Sequence, residues 1–245
     1  MKLTGTKLIF AHRGASAYAP ENTLPAFELA ADMKAFGVEL DVHLTKDGVL
    51  VVTHDDEISR VSDGNGKVKD MAFEELRKFN FAAKFADKKF GDVKIPTLDE
   101  VYELLAPRGL YVNVEIKASG DEVVKKTLEC AEKHGMRDKV IYSSFNHWNL
   151  TNALEHDSEA FVAPLYGSEI VKPADYAALF GAKAIHPHFW QIINHPEIVA
   201  HAKEIGVRVH PWTVDNPADI ETLCSLDIDA IITNRPDVAL DIANR

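Results

Sequence analysis

The chain has 245 residues, 46% of them apolar and 27% charged, which is ordinary globular composition with material for a sizeable core. Its formal net charge of −11 argues against nucleic-acid or anionic-membrane surfaces, since both require clustered Lys and Arg. An acidic protein that handles an anionic substrate must supply positive charge locally, from a metal or a few placed basic side chains.

Met1 to Lys7 has no long apolar stretch or small-residue cleavage site, so it does not read as a signal peptide, and a cytoplasmic protein is expected. Eight short apolar, β-branched runs then follow in order: Leu8 to Ala11, Val38 to Val42, Tyr111 to Ile116, Val140 to Ser144, Phe161 to Tyr166, Ala184 to His186, Val207 to Trp212 and Ala230 to Thr233. Amphipathic helical stretches separate most of them. Strict β-then-α alternation predicts a parallel sheet, and eight units favour a closed (β/α)8 TIM barrel over an open doubly wound sheet. Thr23 before Leu24-Pro25 and the box Thr97-Leu98-Asp99-Glu100 predict helix starts. Gly109, Gly135, Gly181 and Gly206 fall where helices should stop. Residues 43–54 read as a hairpin turning at Asp47-Gly48, and residues 55–95 as an insertion or lid over the active face. Residues 1–245 are expected to form a single domain. Cys130 and Cys224 fit no paired-cysteine metal motif and read as buried free thiols.

Functional side chains of such a barrel lie at the C-terminal ends of its strands. Glu39 and Asp41 are two apart on one strand and share a side, while Val38, Leu40 and Val42 face the other. Two buried carboxylates side by side call for a cation. Glu115 adds a third from the next barrel strand, making a hard-oxygen site of the kind Mg2+ or Ca2+ prefers. His12 arrives from the first strand. In the hairpin, a two-residue turn sets His54 opposite Asp41, and a four-residue loop sets it opposite Glu39. Two histidines beside a metal-bound phosphoester suit general acid–base cleavage. Arg13 and Lys117 are candidate phosphate clamps, or partners of the site carboxylates. Trp212 is a candidate wall for an alcohol or glycerol group. His186 and His188 share one side of a strand and are expected at most to line the pocket.

The motifs His12-Arg13-Gly14, Glu21-Asn22-Thr23, Glu39-Leu40-Asp41, His54-Asp55, Pro96 to Glu100, Asn113 to Lys117 and Thr233-Asn234-Arg235-Pro236 together resemble the glycerophosphodiester phosphodiesterases, in the expected order over nearly the whole chain. The resemblance implies a phospholipase-C-like barrel with an insertion after His54-Asp55. It implies one divalent ion on Glu39, Asp41 and Glu115, His12 and His54 as the acid–base pair, and phosphate held by Arg13 and Lys117. It implies a small glycerophosphodiester substrate, with glycerol 3-phosphate and an alcohol as products. The length resembles the bacterial cytoplasmic members, with neither nucleic acid nor stable membrane contact expected, as monomer or homodimer. Asn234 departs from the usual Thr-Asp-Arg-Pro, a change expected to touch a peripheral contact. Arg60 to Gly64 is a looser version of the family's Arg-Thr-Thr-Asp-Gly stretch. The rival readings are a lysophospholipase D, which the Phe residues at 73, 79, 81, 85 and 90 would favour if they formed an apolar lid, and a catalytically silent binding barrel.

Overall fold

The computed structural model describes residues 8–245, so the stretch Met1 to Lys7 lies outside it. Eight parallel strands form the ring: β1 (Leu8–His12), β2 (Gly37–Leu44), β4 (Tyr111–Ile116), β5 (Val140–Ser144), β6 (Phe161–Tyr166), β7 (Ala184–Pro187), β8 (Arg208–Val209) and β9 (Ala230–Thr233). Their order is β8-β7-β6-β5-β4-β2-β1-β9, and β3 (Leu50–Val52) pairs antiparallel with β2. Backbone bonds from Asp229 N to Val209 O (3.2 Å), Ile232 N to Pro211 O (3.0 Å) and Val214 N to Ile232 O (3.0 Å) close the barrel between β8 and β9. The ladder of β8 is shorter than the expected Val207 to Trp212 because Pro211 has no N–H to continue it. The backbone still tracks β7, with His210 N donating to Ile185 O and Trp212 N to Pro187 O.

Alternation along the strands divides the interior from the exterior. Val38, Leu40 and Val42 are fully buried in the layer between strands and helices. Each such side chain contributes roughly 1.5–3 kcal/mol of burial free energy. Inside the ring, Leu8, Phe10, Ile141, Phe161, Ala163, Ala184, Ala230 and Ile232 form a second apolar cluster. That cluster is a packed floor on which polar side chains at the strand ends are held. Both cysteines are buried and unbridged.

The hairpin takes neither expected register. Leu44 pairs with Leu50 and Val42 with Val52, while Thr45 N donates to Val49 O at 3.0 Å. The loop is therefore three residues, Lys46 to Gly48, with Gly48 at φ 76 in the left-handed position such a loop requires. Thr53, not His54, faces Asp41, through Thr53 N to Asp41 O at 3.0 Å.

Residues 55–95 carry α2 (Phe73–Leu76) and three short 3-10 turns. They have a small core of Val51, Ile58, Val68, Leu76, Phe81 and Ile95, against which Phe73 and Phe79 pack. Phe85 and Phe90 meet edge to face, with ring centroids 5.6 Å apart. These Phe residues thus pack within the insertion and form no apolar lid. Helix α3 (Leu98–Leu105) starts with the expected capping box, Thr97 N to Glu100 Oε2 at 2.8 Å and Glu100 N to Thr97 Oγ1 at 3.1 Å. No helix among the described residues is long and apolar enough to cross a membrane.

Candidate active site

Three carboxylates converge at the C-terminal mouth of the barrel. Parallel register sets Glu39 beside Asn113 and Asp41 beside Glu115, so their side chains enter the ring together. One oxygen from each of Glu39, Asp41 and Glu115 lies within 4.8 Å of the others. Burial and the neighbouring Asp41 and Glu115 hold Glu39 well above the usual carboxylate range. Burial and Asp41 push Glu115 up to about 7. At Asp41, burial is outweighed by Lys117 and Arg13, which bring it down to about 2. Three formal negative charges thus face two positive ones, and a phosphodiester would add another negative charge. Asp41 Oδ1 is also buried without a hydrogen-bond partner among the described residues. Uncompensated charge, an orphaned oxygen and an all-oxygen donor set fit a hard divalent cation.

Arg13 reaches the site through a strained turn. It has φ 56 and Asn22 has φ 55, both in the left-handed region. This backbone aims Arg13 N at Glu39 Oε2 (2.9 Å) and Asn22 Nδ2 at Asp41 Oδ2 (2.8 Å). The Arg13 side chain donates to Glu21 Oε1 at 2.8 Å, and its buried Nε, 3.6 Å from Asp41 Oδ2, has no hydrogen-bond partner among the described residues. Lys117 Nζ lies 2.8 Å from Glu115 Oε1 and 3.5 Å from Asp41 Oδ1. Both cations therefore pair with site carboxylates while remaining on the wall of a small pocket at the barrel mouth.

His12 and His54 line that same pocket. His12 Nε2 is 3.9 Å from Glu39 Oε2, and burial with Arg13 lowers its pKa to about 4. Its Nδ1 bonds Asn234 Oδ1 at 2.7 Å, which corrects the expectation that Asn234 marks a peripheral contact. His54 Nδ1 bonds Asp55 Oδ1 at 2.6 Å, and burial lowers its pKa. Asp55 is fixed in turn by Arg60, which also holds Glu21 at 2.7 and 2.9 Å.

Trp212 also lines the pocket, with Phe145 and Leu165, its indole N–H donating to His186 O at 2.8 Å. Phe145 meets Trp212 edge to face at 5.5 Å. The two strand histidines do not join the site. His186 is buried below it, 3.1 Å from His210 Nδ1, and His188 accepts from Trp190 N at 3.4 Å to cap the next helix. The side chains that residue-by-residue reading left without roles are Glu21, Asn22, Asp55, Asn113, Ser143, Phe145 and Asn234. Most lay within the quoted motifs. Asn113 Oδ1 and Ser143 Oγ are buried on the pocket wall, without hydrogen-bond partners among the described residues.

Next to this pocket lies a cavity of about 870 Å3, bounded by the start of the insertion and by the loop after β4. His54 and Lys117 line both spaces. The larger one carries mixed charge from Asp55, Asp56, Glu57, Arg60, Lys69 and Glu122.

Residues 12–238 match the Glycerophosphoryl diester phosphodiesterase family. A glycerophosphodiester phosphodiesterase of Caldanaerobacter subterraneus is 38% identical over 241 residues, covering 97% of this chain and 98% of that one. One from Bacillus altitudinis is 38% identical over 242 residues, covering 96% and 97%. Among solved structures, an Oleispira antarctica phosphodiesterase in complex with the product sn-glycerol-3-phosphate has a TM-score of 0.92 at 26% identity, covering 98% of both chains. A glycerophosphodiester phosphodiesterase from Agrobacterium tumefaciens has a TM-score of 0.85 at 28% identity, covering 98% of this chain and all of the other. The match runs from the first site histidine to the last helix, and relatives of this identity align over almost their whole length; the chain belongs to the glycerophosphoryl diester phosphodiesterase family.

Proposed function

We propose that the chain hydrolyses glycerophosphodiesters such as glycerophosphocholine and glycerophosphoethanolamine to glycerol 3-phosphate and a free alcohol. The observation that carries this is a pocket lined by Glu39, Glu115, two cations and two histidines whose Nδ1 atoms are each tied to a fixed oxygen, with the buried Asp41 carboxylate clustered against the other two. The product bound to the Oleispira antarctica relative supports glycerol 3-phosphate as the recognised half. A divalent ion, Mg2+ or Ca2+, held by Glu39, Asp41 and Glu115 supplies charge neutralisation for the phosphate. Arg13, through its unpartnered Nε, and Lys117 grip the phosphoryl oxygens. Trp212 walls the glycerol carbons.

His12 is the base. Its depressed pKa leaves it neutral at neutral pH, and its Nε2 is free to take a proton from the nucleophile, either the glycerol C2 hydroxyl or a water. His54 is the acid. Burial lowers its pKa, and the Asp55 carboxylate on its Nδ1 works against that lowering by stabilising the imidazolium; the ring stands between the small pocket and the larger cavity into which the alcohol departs. The volume and mixed charge of that cavity favour breadth among alcohols. The barrel and its 55–95 insertion act here as one catalytic unit.

The test is incubation with glycerophosphocholine, glycerophosphoethanolamine and a lysophospholipid, with and without chelator, measuring glycerol 3-phosphate. Chelator-sensitive release from the first two supports the proposal. Release of a lysophosphatidic acid in preference to glycerol 3-phosphate would move the chain to the lysophospholipase D reading, and no turnover would leave a binding barrel.

A further inference from the structure

The imidazole of His12 is held from behind by two residues from the far end of the chain. Asn234 follows β9, which pairs with β1, so barrel closure brings its amide against His12 across 222 residues. Asp215, in the loop after β8, sits behind that amide. Its Oδ2 takes Asn234 Nδ2 at 2.6 Å, and its Oδ1 takes Asn234 N at 2.8 Å and Thr233 Oγ1 at 3.0 Å.

We infer that Asp215 and Asn234 are positioning residues that keep the proton of His12 on Nδ1 and its Nε2 lone pair turned to the reaction. A carboxylate at Asp215 can only accept, so it fixes which end of the Asn234 amide is nitrogen. The amide oxygen must then face His12, where it also lies 2.7 Å from Ser16 Oγ. An amide oxygen likewise can only accept, so His12 Nδ1 carries the hydrogen. The tautomer is thereby set two residues away, by one carboxylate. The arrangement also differs from that at the other histidine. His54 has a carboxylate directly on Nδ1, whereas His12 has a neutral amide there with the carboxylate one residue behind.

The inference rests on His12 as the base, and the experiment separates the two. Steady-state kinetics on glycerophosphocholine with saturating divalent ion compare wild type with H12A, N234A, N234D, D215N and the double variant N234D/D215N. In D215N the amide of Asn234 is no longer forced and can turn its N–H toward His12, which favours the wrong tautomer. In N234D two carboxylates face each other across a 2.6 Å contact and repel. The double variant restores every donor and acceptor, since the amide introduced at 215 keeps an oxygen for Asn234's backbone N–H position and Thr233 and gives an N–H to the carboxylate introduced at 234. We expect kcat to fall by about 10–10³ in N234A, N234D and D215N with KM little changed, on the scale of tautomer-setting groups. The double variant should recover most of the loss. In 15N-histidine spectra, wild type and the double variant should show His12 protonated on Nδ1, and D215N a shift toward Nε2.

Wild-type turnover in H12A would sink the base assignment, and this inference with it. An inactive H12A beside single variants with wild-type kcat would overturn the positioning role alone. A double variant no better than the worse single variant would do the same. D215N is nearly isosteric, so its spectrum gives the answer even where N234D folds poorly.

Discussion

Replacing Gly14 with Ala should destabilise the protein far more than the same change at another left-handed glycine. Gly14 has φ +79, and a Cβ there would lie 2.6 Å from the backbone carbon of Ala26 and 2.8 Å from its oxygen. Ala26 is in α1 (Leu24–Asp32), and its oxygen is held by Ala15 N at 3.0 Å, so neither partner yields easily. Left-handed backbone costs an alanine about 1–2 kcal/mol and overpacking about 1–3 more, giving roughly 2–5 kcal/mol for G14A. Gly135 has φ +65 with nothing within 4 Å, so G135A should carry the backbone cost alone. At roughly 2–4 °C per kcal/mol for a chain of this size, the two variants should differ by several degrees in thermal midpoint. Activity should separate them as well. Gly14 anchors the turn that aims Arg13 and Asn22 at Glu39 and Asp41, so G14A should lose kcat/KM on glycerophosphocholine while G135A keeps it. Thermal unfolding and kinetics on both variants measure this. Equal midpoints and equal activities would refute the claim that close backbone approach at Gly14 builds the site.

H54A should cripple glycerophosphocholine cleavage, by about 10²–10⁴ in kcat, yet largely spare a glycerophospho-nitrophenyl ester whose leaving group needs no proton. H12A should cripple both, and the reverse pattern would exchange the two roles. Choline, ethanolamine and glycerol esters should give comparable kcat/KM values, and a preference of several orders of magnitude would show that the 870 Å3 cavity holds a dedicated alcohol site. T97A removes the hydroxyl that accepts from Glu100 N and should lower stability by about 1 kcal/mol, read by denaturant midpoint, without changing turnover.

The barrel was legible because its two periodicities are strong. Val38, Leu40 and Val42 alternate with Glu39 and Asp41, and the same strand therefore shows both the packed layer and the carboxylate face. Glu115 followed from the parallel register that sets it beside Asp41. The hairpin was read only to its turn, because Asp47-Gly48 suits loops of several lengths and the left-handed Gly48 chose a third. His54 still reached the pocket, carried there by the chain beyond the strand and by Asp55. The role of Asn234 was out of reach of local pattern, since its partner is 222 residues away and the contact exists only once the barrel closes. His186 and His188 show the opposite case. Their spacing suggested a shared pocket, but Leu165 and Trp212 fill the wall above, and His186 pairs with His210 below.

The central claim is that Glu39, Asp41 and Glu115 hold one divalent ion on which turnover depends. Metal content per chain, measured after equilibrium dialysis against Mg2+ or Ca2+ beside glycerophosphocholine turnover on the same samples, tests it most directly. Wild type should retain one ion per chain at this site and release glycerol 3-phosphate, while D41N and E115Q should lose ion and turnover together with their fold intact. Full turnover in D41N, or in wild type stripped of metal, would contradict the account.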